Sequence, residues 1–219
     1  DIRRLVDTNN ETTMAKDGIP DLVSFVTFPQ YVGSMAKSYG ANGNGVPVLH
    51  THVSRFPSVL RLAGTSLVGQ EGTSHIQLAP GPSGAVFASS LRAATGNDPQ
   101  FLDAHTYDGV VALVLAVAIA GRGLDDPSQV TGARVRDAMS RVSVSGGNVI
   151  RTGPAELAKA FDLIAADKPI NYEGASGPLD FSPDGNVMDM LVLWKADSSA
   201  FGELATYDCI SSPECPKTP

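Results

Sequence analysis

Runs of basic residues are absent from this chain, whose 16 Lys and Arg are outnumbered by 23 Asp and Glu for a formal charge of −7. Such a field repels phosphate backbones and no local cluster overrides it, so nucleic acid is not expected as a partner. Long apolar runs are missing too. The longest, within residues 110–120, falls short of the ~20 residues that a helix needs to span a bilayer, and no membrane anchor is expected there. The first residue, Asp1, is followed by no basic stretch leading into an apolar one. A signal peptide is therefore expected to have been removed or to lie outside this sequence. Cysteine is scarce. Cys209 and Cys215 stand in a tail that also holds Pro213, Pro216 and Pro219. A turn there could bring the two within disulfide reach, and a bridge is expected, implying an oxidising compartment; two free thiols are the alternative.

What is present suits a globular α/β protein. With 219 residues, 42% of them apolar, the chain can bury a sizeable core and has room for two lobes of about 100 residues each. A surface helix is expected over 1–16, then a strand over 21–28 and a helix from Pro29 on which Tyr31, Met35 and Tyr39 recur at helical spacing. Further strands are expected over 46–50 and 74–79, with a short helix over 56–63 between them and another from Pro82 to near Gly96. Residues 103–121 are apolar on nearly every face, as in a buried helix. Asp125, Asp126 and Pro127 open a helix carrying Val130, Val135, Met139 and Val142, and Gly153-Pro154 opens the next. Strands over 179–181 and 188–194 flank a tight turn at 182–185. Strands alternating with helices imply mainly parallel, doubly wound sheets covered on both faces.

Several constellations invite a chemical reading. The turns Gly81-Pro82-Ser83-Gly84 and Gly174-Ala175-Ser176-Gly177 have their second Gly one residue after Ser, where a nucleophile elbow needs it two residues after. Chain reversal is the plainer role. His50 and His52 could point the same way from a strand end and chelate a metal, but no third ligand is evident, and neither a metal nor an organic cofactor is expected. Glu71, flanked by glycines on a loop near strand ends, lies where open α/β sheets hold ligands; a solvated loop acid is the bland alternative.

The run Thr106-Tyr107-Asp108-Gly109, the Glu71-Gly72 pair ahead of a strand, and the stretch from Asn171 to Phe181 followed by Asp184-Gly185 and Trp194 resemble the type I periplasmic binding proteins of the leucine/isoleucine/valine class, in order and spacing, across nearly the whole chain. The resemblance implies two doubly wound lobes that close on a ligand, of which this chain supplies only a part: residues 1–78 and 176–219 in the second lobe, 79–175 in the first. It implies a missing N-terminal half of the same protein, including helix N-termini that receive a ligand carboxylate. By resemblance, Glu71 pairs with a ligand ammonium, and Phe28 and Tyr31 stand beside the ligand. The function implied is a receptor for a small amino acid or related ligand, with no catalytic residues. It would work with the membrane permease of an ABC transporter in the periplasm or outside the cell, free or tethered as a lipoprotein. A small α/β enzyme using a serine turn or His50 and His52 is the alternative.

Overall fold

A computed structural model describes residues 20–42, 45–182, 184–212 and 214–218; the helix expected over 1–16 lies outside them. The chain forms two compact units. One comprises the described residues of 1–75 and 190–219, the other 76–189.

The first unit opens with β1 (Val23–Phe25), α1 (Pro29–Asn42), β2 (Val48–His50), α2 (Pro57–Ala63) and β3 (Glu71–His75). The second contains α3 (Pro82–Thr95), α4 (Asp103–Gly121), α5 (Gly132–Met139), β4 (Asn148–Arg151), α6 (Pro154–Ala165) and β5 (Ile170–Glu173). The chain then returns to the first unit with β6 (Met190–Ala196) and β7 (Phe201–Asp208). Proline stands in the first turn of α2, α3 and α6, where its missing N–H costs nothing and its fixed φ suits the helix.

The first unit is a five-stranded sheet in the order β1-β2-β3-β6-β7, parallel from β1 to β3 and antiparallel from β3 outward. Phe25, Tyr39 and Val48 form a core cluster between this sheet and α1. β3 begins three residues before the strand expected there. Gly72 explains the shift: its bare Cα lies under the ring of Trp194, so a residue that weakens a strand by propensity is the one this register accepts. β7 was not anticipated, because its run FGELATYD alternates poorly.

In the second unit β4 and β5 form a parallel pair of four residues each, too short for their pattern to mark them in the sequence. α4 packs Val111, Leu115 and Ile119 against Ile150, Ile164, Ile170 and Tyr172 in the main core cluster. By length and composition alone α4 could cross a membrane, but seven of its residues are buried within this unit. The helix expected from Asp125 is split into a 3-10 turn at Pro127–Gln129 and α5, with Asp126 and Thr131 each accepting a capping hydrogen bond. Residues 176–189 stay with this unit, because Leu179 and Phe181 join its core and Glu173 bridges Pro178. The strand expected over 179–181 shrinks to one bridge, Phe181 with Val187.

Cys209 and Cys215 are joined in a disulfide six residues apart in sequence. The loop is small, so its loss is expected to lower stability by only about 2 kcal/mol. Thermal unfolding of the Cys209→Ser/Cys215→Ser variant beside the parent, both without reductant, measures this; equal midpoints would contradict it.

Candidate functional site

Parallel strands of an α/β sheet leave their loops at the carboxyl ends, and ligands bind there. In the first unit β1 ends level with β2, Phe25 beside His50, and β3 runs on to His75. Beyond these ends come residues 26–31 and 51–55. Phe28 and Tyr31 are both exposed, the Phe28 carbonyl accepting from the Tyr31 N–H at 2.9 Å as α1 begins. Val26 is exposed as well. The Thr51 hydroxyl donates to the Phe25 carbonyl at 3.3 Å and ties the first two strand ends together. His52 opens a 3-10 turn, and its ring centroid lies 6.3 Å from that of His75. Burial, with the neighbouring His75 second, holds the His52 imidazole below its usual pKa, which favours its neutral form.

Glu71 is elsewhere. It is the first residue of β3, beside Leu49, and it lines a cleft of about 480 Å³ with Leu22, Val46, Pro47, Gly69 and Gln70, all at the amino ends of the strands. Tyr39, on the far end of α1, lines the same cleft. That places it about 12 Å along the helix axis from Tyr31. The Glu71 carboxylate accepts from Lys195 Nζ at 3.2 Å, across the β3–β6 pair. Phe28 and Tyr31 thus follow the carboxyl end of β1, whereas Glu71 stands at the amino end of β3, in register with Leu49 and one residue before the level of Phe25 and His50. The Glu-Gly pair marks the start of a strand, and in the first unit the strand's far end carries His75.

The residues considered for catalysis or metal binding hold the fold. His50 is fully buried, its Nδ1 2.9 Å from Ser54 Oγ and its Nε2 bonded to Gln70 Oε1. Both nitrogens are used within the core, and the turn after Thr51 breaks the alternation that would have aimed His52 with it. Ser83 Oγ donates to the Glu173 carbonyl at 2.6 Å, and Ser176 Oγ donates to Asp108. Ser83 faces only a carbonyl, and the carboxylate that Ser176 faces also accepts from Tyr172 Oη, Ala175 N and Ser176 N, so it serves as a structural acceptor.

Burial lowers the pKa of His50, opposed in part by Gln70. The unfolded chain therefore gains a proton near pH 6.5, where the folded chain still resists it. Stability from this residue is complete above that pH and falls as pH drops toward the folded value. Urea unfolding between pH 7 and pH 5 is expected to show this decline, less steep in His50→Gln; equal slopes would contradict it.

No family model and no curated protein matches the chain. Solved structures do match. A leucine-binding protein from Thermotoga maritima is 16% identical with a TM-score of 0.64, over 91% of this chain and 48% of that one. An extracellular ligand-binding receptor from Rhodopseudomonas palustris is 17% identical with a TM-score of 0.61, over 87% and 48%. A solute-binding protein of an ABC transporter from R. palustris, in complex with benzoate, is 16% identical with a TM-score of 0.59, over 91% and 44%. This chain spans about half the length of each. The fold is that of type I periplasmic binding proteins.

Proposed function

We propose that the chain is part of the solute-binding receptor of an ABC importer, its two units each belonging to one lobe, and that it binds a small solute without transforming it. The observation that carries this reading is the carboxyl edge of β1, β2 and β3, beyond which Phe28, Tyr31 and His52 are exposed and Thr51 ties the first two strand ends together. Exposed aromatics at strand ends are costly unless something covers them, and a bound solute does so. The matched structures support the class, being named for leucine, isoleucine or benzoate binding and for ABC transport. Amino acids and related acids are therefore the first solutes to test. A membrane permease and a complementary half of the receptor are the implied partners, and the periplasm or cell exterior the implied place, in keeping with the Cys209–Cys215 bridge.

Hinge closure draws affinity from contacts to both lobes, so these residues alone are expected to bind weakly. A thermal-shift screen of small amino acids and organic acids tests the reading. A solute at 100 times its Kd stabilises the chain by about 2.7 kcal/mol. The shift should saturate, leave the solute unchanged, and shrink in Phe28→Ala and Tyr31→Ala. Turnover of the solute, or a shift that survives both substitutions, would refute it.

A further inference from the structure

α4 carries more apolar surface than its own unit covers. From Gly109 to Gly121 every residue is Gly, Ala, Val, Leu or Ile. One face of the helix packs into the core through Val111, Leu115 and Ile119. On the other, Val110, Leu113, Val114 and Val117 follow one another at three- and four-residue steps and stand 58%, 52%, 41% and 43% exposed. A helix that is apolar all round belongs between two layers, and the described residues of this unit supply one. β4 and β5 agree with this, because a parallel sheet is stable when both faces are covered and two strands alone are marginal. No charge on the exposed stripe offsets the gain from burying it, so it favours association. Its occupant follows from chain length. The Thermotoga maritima structure is about twice as long as this chain, and a little over half of it has no counterpart here. A second copy of these residues would bring the same short sheet, whereas the other half of a doubly wound lobe brings strands whose apolar face a helix covers.

We infer that the outer face of α4, formed by Val110, Leu113, Val114 and Val117, is the surface on which the complementary half of the receptor chain docks. The inference rests on the receptor reading above and gives that half its place on the second unit. Cys209 and Cys215 are bridged, so a cysteine introduced on this face is the one free thiol among residues 1–219. Val114→Cys is compared in two polypeptides, residues 1–219 and the longer chain read from the gene upstream of Asp1. Labelling by iodoacetamide, followed at residue 114 by peptide mass mapping, should be at least about a hundredfold slower in the longer chain, and equally fast in both once they are denatured. Equal rates in the two native chains would leave the face open and overturn the inference, while solute binding still decides the receptor reading. Slow labelling of residues 1–219 alone that speeds up on dilution would assign the face to a second copy and overturn it too. A gene that encodes no upstream half would do the same.

Discussion

Replacing Asp108 with Ala is expected to lower the free energy of unfolding by about 3–5 kcal/mol, a large part of what a domain of this size possesses. Asp108 is buried on α4 and faces four donors, one from β5 and three from the segment that follows it. Its Oδ1 accepts from Tyr172 Oη at 2.8 Å and Ala175 N at 2.9 Å, and its Oδ2 accepts from Ser176 N at 2.6 Å and from Ser176 Oγ. No cation balances the charge among these contacts; the donors do. Burial first, and the Asp108 carboxylate second, push the Tyr172 phenol far above its usual range, so it stays a donor at any ordinary pH. Truncation would leave two backbone N–H groups and a phenol buried without partners. Gly174 belongs to the same device, since a Cβ there would overlap the Asp108 carboxylate. Urea denaturation followed by circular dichroism measures the effect, and a loss below about 1 kcal/mol would show that the network is ornamental.

Trp194→Ala is expected to cost about 3–5 kcal/mol in the first unit. The indole is fully buried on β6, tilted against His50 at 6.0 Å between centroids and set edge-on to Phe201 at 5.0 Å. It also fills the space above Gly72, so Gly72→Ala would force a methyl into the ring and to within 2.6 Å of the His50 carbonyl oxygen. That substitution is expected to cost about 2–3 kcal/mol. Because the two residues share one volume, Gly72→Ala should be milder in a Trp194→Phe background than alone. Strictly additive costs in that cycle would contradict the packing described.

Much of this architecture is legible along the chain, and what is not has a common cause. The helices announce themselves through Pro29, Pro57, Pro82 and Pro154 and through apolar residues at helical spacing. β4 and β5 do not, being four residues each and buried by partners far off in sequence. The start of β3 is decided by Trp194, more than a hundred positions away, which no local pattern around Gly72 can report. Asp108 is quiet for the same reason: its donors lie 64 to 68 residues downstream.

The site divides similarly. Phe28 and Tyr31 are drawn to a ligand by resemblance, and the structure has them exposed beyond the carboxyl end of β1. Glu71 was drawn to a ligand by its glycine neighbours and by resemblance. Its place at the amino end follows from where β3 begins, and so from the Gly72–Trp194 contact. The pairing of His52 with His75 needed the 3-10 turn after Thr51, which the spacing of two histidines does not reveal.

We propose that solute binds at the carboxyl edge of the first unit rather than beside Glu71. Mapping amide shifts of the 15N-labelled chain during titration with 3-phenylpropanoate at millimolar concentration tests this most directly. Saturable shifts should gather at 26–31 and 51–55, survive Glu71→Gln, and leave the amides of Gly45, Val46 and Gln70 unmoved. Shifts centred on Gly69, Gln70 and Glu71 that vanish in Glu71→Gln would put the solute in the amino-end cleft and contradict the account.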